Sequence, residues 1–235
     1  MKYKSRAIAL TYIKQGDSSI IAKLFTEKKG LQTFIIKGVR SKKSKNNITF
    51  FEPLKQLSIN GLYKPKNSLQ YLDDIRLENS FGALRKNMFN VFISVFIAEV
   101  SSKVLQENDK NPALFIFLWE TAQALSLENK SNSNYVLTFM LNLSRYLGFY
   151  PSISEIKKSF FDLERGIFSD QLKSLDICMN KKNTLYLKAL IKNEPINIPQ
   201  KDKSILLQKL IRYYTLHHYN IENIKSHLVI ESLRV

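Results

Sequence analysis

The chain has 235 residues, of which 44% are hydrophobic and 24% charged, enough for one large domain or for a small one followed by a larger one. Its 36 Lys and Arg against 20 Asp and Glu give a formal charge of +16, which directs attention to nucleic acid, an anionic membrane surface or an acidic protein as partner. A single cysteine, Cys178, excludes an intrachain disulfide and any multi-thiolate metal site built within one chain.

The apolar stretch after Met1-Lys2-Tyr3-Lys4-Ser5-Arg6 is too short for a secretory signal, and Val91 to Val100 is half of what a bilayer span needs. A soluble protein of a reducing compartment is expected. Residues 3–79 alternate with period two. Ala7 to Ile13 is rich in strand formers, Gln15-Gly16-Asp17-Ser18 is a turn, and Ser19 to Thr26 reads as a second strand. Glu27-Lys28-Lys29-Gly30 closes a hairpin, with Gly30 supplying a positive φ. Leu31 to Ile36 is the third strand. Leu54 to Ile59 alternates as a fourth and ends at Asn60-Gly61; Leu69 to Leu77 makes a fifth. Five short strands predict a small closed barrel of the oligonucleotide-binding (OB) kind, because closure removes exposed edges.

Between the third and fourth strands lies Lys37-Gly38-Val39-Arg40-Ser41-Lys42-Lys43-Ser44-Lys45, and no acidic residue occurs from Lys28 to Phe51. A loop that gathers like charge bears a self-repulsion that a polyanion offsets; the plainer reading is a solvated loop that keeps an edge strand soluble. Residues 1–80 carry 16 basic and 6 acidic side chains, so the excess is densest here. Lys37, Arg40, Lys42, Lys43 and Lys45 are the first candidates for phosphate contact, joined by Lys28, Lys29, Lys64 and Lys66. Among Tyr3, Tyr12, Tyr63 and Tyr71, Tyr63 is the favoured ring for stacking on a base; the alternative is that one or two of these tyrosines cap the barrel ends.

Near Asn79-Ser80 the period changes, which predicts domains at 1–79 and 80–235. Met88 to Leu105 is apolar almost all round and predicts a helix buried on nearly every side. Asn111-Pro112 starts the next helix, with Asn at the N-cap and Pro at the first position. A third helix, about Tyr135 to Leu147, stops at Gly148 and Pro151. Phe160 to Phe168 fits a hairpin turning at Arg165-Gly166. Leu172 to Met179 and Thr184 to Ile191 read as short helices, Ser204 to Tyr219 as a longer one, and Ile221, Ile224 and Leu228 as part of a last. Tyr213-Tyr214 and Phe115/Trp119 are assigned to the helical core, and Cys178 to a buried thiol.

No catalytic constellation stands out. Asp73 and Asp74 are neighbours on a strand and point to opposite faces. His217, His218 and His227 lack the i, i+4 spacing of a zinc pair, and Gly30 with Lys37-Gly38 lacks the spacing of a phosphate-binding loop. A nuclease or modifying enzyme would need a carboxylate cluster or a cofactor loop, so neither an enzyme nor a cofactor is expected. An RNA-binding or ribosome-associated OB module remains an alternative.

Taken in order, several short segments resemble the RecO family of bacterial recombination mediators. They are Leu24-Phe25-Thr26 with Glu27-Lys28-Lys29-Gly30-Leu31, then Lys37-Gly38-Val39-Arg40 and Phe51-Glu52-Pro53-Leu54. Further on come Tyr146-Leu147-Gly148-Phe149-Tyr150-Pro151 and Ile224-Lys225-Ser226-His227-Leu228. The resemblance implies an α+β protein: an N-terminal five-stranded OB barrel and a helical C-terminal domain. It implies binding of single- and double-stranded DNA, annealing of complementary strands, and help in replacing single-strand-binding protein (SSB) with recombinase. It also implies the SSB C-terminal tail and RecR as partners and a cytoplasmic, nucleoid-associated location. Arg145, beside Tyr146 and Phe149, is the candidate site for the SSB tail; the competing account is that Arg145 neutralises the end of its helix. Many relatives carry a four-cysteine zinc knuckle after the Leu-Gly-Tyr-x-Pro segment. Residues 152–169 contain no cysteine, so a zinc-free hairpin is expected there.

Overall fold

The first strand, β1 (Lys2–Gln15), is 14 residues long and serves two neighbours. Its first half pairs antiparallel with β4 (Gln56–Leu62), from Lys2 opposite Leu62 to Ile8 opposite Gln56. Its second half pairs with β2 (Ser19–Thr26). The ladder shifts between Ala9 and Thr11; an extra residue at that point bends and twists the strand so that it can serve both partners. With β3 (Gly30–Ile36) and β5 (Gln70–Leu77) the strands close into a barrel in the order β1-β2-β3-β5-β4. The computed structural model describes residues 1–41, 47–78, 88–127 and 133–226.

Alternation along these strands sends Ala7, Ala9, Ile20, Ala22, Leu24, Phe34, Leu57, Ile59 and Ile75 into one buried core. β5 pairs with β3 only at Phe34–Gln70 and Ile35–Tyr71. The rest of the β3 edge is covered by the connector that follows α1 (Met88–Val104): the Asn108 N–H donates to the Leu31 carbonyl at 3.1 Å and Thr33 Oγ1 to Glu107 Oε1 at 2.6 Å. Gly30 is required there. Its φ is +67°, and a Cβ would stand 2.0 Å from the Asp109 carbonyl oxygen.

Two expectations for β4 change. The strand begins at Gln56 because Leu54 adopts φ 60°, a conformation that costs a branched residue about 1–2 kcal/mol. Leu54 is buried, and its N–H donates to Ala9 O at 2.8 Å, which extends the barrel seam past the β1 bulge. Nor does the strand end at Asn60-Gly61: it runs on to Leu62, with a register shift at that step. Gly61 is needed because the Tyr3 ring lies 2.6 Å from where its Cβ would be.

α1 packs against β1 and against α2 (Pro112–Leu127). Ile93, Phe96, Ile97, Val100 and Val104 are buried, whereas Met88 and Val95 are exposed, so the helix has a free side that its composition did not predict. Asn111 Oδ1 accepts the Leu114 N–H at 2.9 Å, the expected cap. Phe115 and Trp119 belong with the barrel instead of a helical core: Phe115 packs on Phe25, Trp119 stacks on Phe115, Arg6 lies over both rings, and Gln56 donates to the Trp119 carbonyl. Compact units accordingly comprise Met1–Ser131 and Asn132–Val235. The change expected near Asn79-Ser80 lies outside the described residues.

The second unit holds α3 (Tyr135–Tyr146), α4 (Lys181–Ile191) and α5 (Gln200–Leu216), packed on one another. Its small antiparallel sheet comprises β6 (Phe160–Asp162), β7 (Ile167–Ser169) and β8 (Cys178–Met179). The hairpin turns through Arg165-Gly166 as predicted. The helix expected over Leu172 to Met179 is absent: Leu172 and Leu175 are exposed, and Cys178 and Met179 pair with Asp162 and Phe161. Cys178 is buried. Leu228, assigned to a last helix, lies outside the described residues.

Candidate nucleic-acid interface

The basic loop leaves the end of β3. Lys37 is exposed, Val39 is buried with the barrel core, and Arg40 is exposed. Val39 thus pins the loop while the cations on either side stay in solvent. The Arg40 N–H donates to Ser18 O at 2.9 Å and its Nη1 to Gly16 O at 3.0 Å, so the β1–β2 turn braces the loop. Phe51, buried in the core, pins its far end after a 3₁₀ turn (Ile48–Phe51) whose Thr49 N–H is capped by Asn47 Oδ1 at 3.0 Å. Lys42, Lys43 and Lys45 lie outside the described residues.

Beside the loop, strand register assembles a feature that sequence reasoning missed. Ile13 is opposite Ile21, Ile21 opposite Ile35, and Ile35 beside Tyr71. Cross-strand partners share a face, and these four alternate with the inward residues Ile20, Ala22, Phe34 and Ile36. They therefore form one row on the outside of the barrel, spanning four strands or about 14 Å. Ile13 is 63% exposed and Tyr71 38%. Thr11, Lys23 and Thr33 form the adjacent row, and Lys37 follows Ile35 by two residues. The result is an apolar strip with an aromatic end and cations along its margins. Bases can stack or pack on such a strip while phosphates meet the lysines.

The other candidates gather elsewhere. Lys29 Nζ lies 4.5 Å from the centre of the Tyr63 ring, and Tyr63 Oη donates to Asn108 Oδ1 at 3.2 Å. Lys28, Lys64 and Lys66 are exposed nearby in sequence. Glu27, the acid next to this group, is held by Arg6 with two bonds of 3.0 and 2.6 Å. That hydrogen bonding, against a smaller effect of burial, draws the Glu27 carboxyl below its ordinary value. Lys29 and Lys37 flank β3 at its two ends, so the loop and the Tyr63 group are separated by roughly 20 Å of strand. One face of Tyr63 is already occupied by Lys29, and Tyr3 is half-buried, its hydroxyl pushed up to about 12 chiefly by burial. Tyr71 and Tyr12, ranked below Tyr63 from sequence, have the more exposed rings.

In the second unit Arg145 and Tyr146 are exposed, and Arg145 lies 4.3 Å from the centre of the Tyr150 ring. Phe149 does not join them. It is buried among Tyr213, Tyr214, His217 and Tyr219, with Tyr213 Oη donating to its carbonyl. Residues of the small hairpin do not fit a structural zinc, which wants four Cys or His ligands. Phe161, Leu163 and Phe168 are buried. The Asp162 carboxylate is used internally: Oδ1 accepts the Glu164 and Arg165 N–H groups at 3.0 Å each, and Oδ2 pairs with Lys173 Nζ at 3.1 Å. Among the described residues no three Cys, His, Asp or Glu side chains gather as a metal site, and no helix is long and apolar enough to cross a membrane.

Comparison with known proteins gives a consistent assignment. The family model described as Recombination protein O N terminal matches residues 1–81, and that described as Recombination protein O C terminal matches residues 85–227. The chain is 31% identical over 231 residues to the DNA repair protein RecO of Flavobacterium johnsoniae, covering 96% of each chain. It is 30% identical over 239 residues to that of Christiangramia forsetii and 27% over 240 residues to that of Bacteroides fragilis, covering 99% of each chain in both cases.

Proposed function

The chain belongs to the RecO family of DNA repair proteins, and from that premise we propose that its barrel holds single- and double-stranded DNA by the phosphate backbone and pairs complementary strands. The observation that carries this reading is the apolar row Ile13–Ile21–Ile35–Tyr71 running beside the braced cationic loop. Lys37 and Arg40, with Lys42, Lys43 and Lys45 farther along the same loop, meet phosphates. Tyr71 and the isoleucines accept bases without reading them, so sequence preference is slight. Lys28, Lys29, Lys64 and Lys66 extend the cationic surface past the other end of β3.

Pairing follows from charge. Two strands repel through their phosphates, and a +16 protein lowers that barrier by holding both against positive surfaces. No nucleotide is consumed, and the action is non-catalytic. Family kinship extends the proposal to DNA coated with SSB, where the chain helps recombinase to replace SSB, and to RecR as a further partner. Arg145 and Tyr146 are the side chains proposed to meet the SSB tail.

A strand-pairing assay with labelled complementary oligonucleotides tests the core of the reading. Pairing should accelerate at low salt without ATP and decline steeply as salt rises. No acceleration at low salt, or a strict need for ATP, would remove it.

A further inference from the structure

A second cationic surface stands in the unit that carries the zinc-free hairpin. No acidic residue occurs between Asp176 and Glu194, a stretch that contains Lys181, Lys182, Lys188 and Lys192. Positions 181, 185, 188 and 192 fall on one face of α4. That face shows Lys181, an exposed Leu185, a half-buried Lys188 and Lys192 along about 16 Å of helix. Lys188 Nζ donates to the carbonyls of Lys157 and Lys158, at 3.4 and 2.6 Å, which draws two more lysines alongside. Lys181 and Lys188 rest over the rings of Phe160 and Phe168, at 5.8 and 5.6 Å from their centres. The hairpin's own aromatics therefore set where these cations stand.

Internal carboxylates leave part of this charge uncompensated. Glu155 pairs with Lys158, Asp202 with Lys182 and Glu194 with Lys192. Among the described residues Lys157 and Lys181 make no ion pair. Crowding is felt at Lys188, whose ammonium is drawn below its ordinary value first by burial and then by Lys192, against the opposing pull of Asp170. Two lysines also occupy the first turn of α4, where the helix dipole disfavours cations. Such a cluster is costly unless an anion comes to it.

We propose that the lysine face of α4, with the Lys157-Lys158 turn beside it, is the binding surface for a second nucleic-acid strand during pairing. The proposal rests on the DNA-binding reading of the barrel and adds the place where the other strand is held. A row of cations along one helix face suits a linear polyanion, and Leu185 in its midst gives a sugar or base an apolar contact. An acidic peptide fits less well. It would need an apolar groove beside the cations, and the cleft of about 420 Å³ lined by Thr138, Leu190, Pro195 and Ile196 has Glu194 among its walls.

Three full-length proteins test this: wild type, a helical variant (Lys157→Glu, Lys181→Glu, Lys192→Glu) and a barrel variant (Lys37→Glu, Arg40→Glu). Strands bound per chain are counted by titrating a labelled oligonucleotide at low salt, and the pairing rate is measured on the same samples. Wild type should bind two strands. The helical variant should keep the barrel strand, lose the other and pair strands at least about tenfold more slowly. Neutralising three phosphates makes the lost event fall with salt at a log–log slope of about −2. A helical variant that retains both strands and the wild-type pairing rate would overturn the inference, as would a wild type that binds only one. With a labelled acidic peptide titrated in parallel, a helical variant that loses the peptide and retains both strands would overturn it in favour of a protein partner. A barrel variant that keeps every strand contradicts the reading of the barrel and leaves the helical surface to its own variant. Alanine at the same three lysines, with melting curves for each protein, guards against a fold lost through charge reversal.

Discussion

Two hairpins of this chain put similar residues to opposite uses. The β1–β2 hairpin extends its tip into solvent, with Tyr12, Ile13 and Lys14 exposed, and it lends the carbonyls of Gly16 and Ser18 to a neighbouring cationic loop. The β6–β7 hairpin turns inward. Its Phe161 and Phe168 pack on each other, its acid binds its own turn, and the Tyr213 ring closes over Phe161. Such a hairpin is held by its own ring packing and by the hydrogen bonds of its own turn. A hairpin that leaves isoleucines beside unneutralised cations is stable through the barrel beneath it and keeps its tip available for a ligand.

Substitution should separate the two most sharply at one aliphatic and one aromatic position. Phe161→Ala, at a fully buried site, is expected to cost about 3–5 kcal/mol. Ile13→Ala, at an exposed one, should stay within about 0.5 kcal/mol yet weaken oligonucleotide binding. Denaturant midpoints and binding titrations on both variants check this. A smaller effect belongs to the inward turn. Asp162→Ala leaves two N–H groups without their acceptor and should cost about 1–3 kcal/mol. Lys173→Ala should cost at most about 1 kcal/mol, because the lysine end is half exposed and Asp162 keeps its two N–H donors.

The smallest expected effect is one of pH, at His217. Its ring stacks on Phe149, meets Tyr213 edge-on and has Nε2 at 3.1 Å from the Leu163 carbonyl. Burial above all holds it below the ordinary imidazole value; the Leu163 carbonyl opposes that, and His218 adds to it. On acidification through about pH 6.5 the unfolded chain takes up the proton first. The contribution of His217 to stability is therefore present above that pH, is lost as pH falls, and levels off below the folded value. His217→Gln should show a shallower fall in melting temperature between about pH 7.5 and about 5.5 than wild type.

Much of the barrel was legible because alternation along β2 and β3 is clean and the turns carry Gly16 and Gly30. What escaped is what alternation alone does not fix. Ile13, Ile21 and Ile35 read as core candidates like any other β-branched residue; only the register, and the bulge between Ala9 and Thr11, turns them outward into one row. Leu172, Leu175 and Met179 have helical spacing, but pairing with β6 decides that segment. Phe149, placed at the surface beside Arg145, is claimed by aromatics more than 60 residues farther along the chain. The cation density of the loop was visible at once. Its bracing by Arg40 on the β1–β2 turn had no signal in the sequence, since it depends on two backbone carbonyls.

The central claim is that DNA is held on the barrel by phosphate contact beside the row that ends at Tyr71. Oligonucleotide affinity measured against salt tests it most directly, for wild type, for the Lys37→Glu/Arg40→Glu protein and for Tyr71→Ala. Counterion release predicts a linear fall of log affinity with log salt, of about 0.7 per phosphate contacted on a single strand. The charge-reversed protein should lose affinity for unrelated sequences alike and show a slope shallower by about 1.4. Tyr71→Ala should bind more weakly by about 1–3 kcal/mol with the slope unchanged. Affinity indifferent to salt, or equal in all three proteins at low salt, would contradict the account.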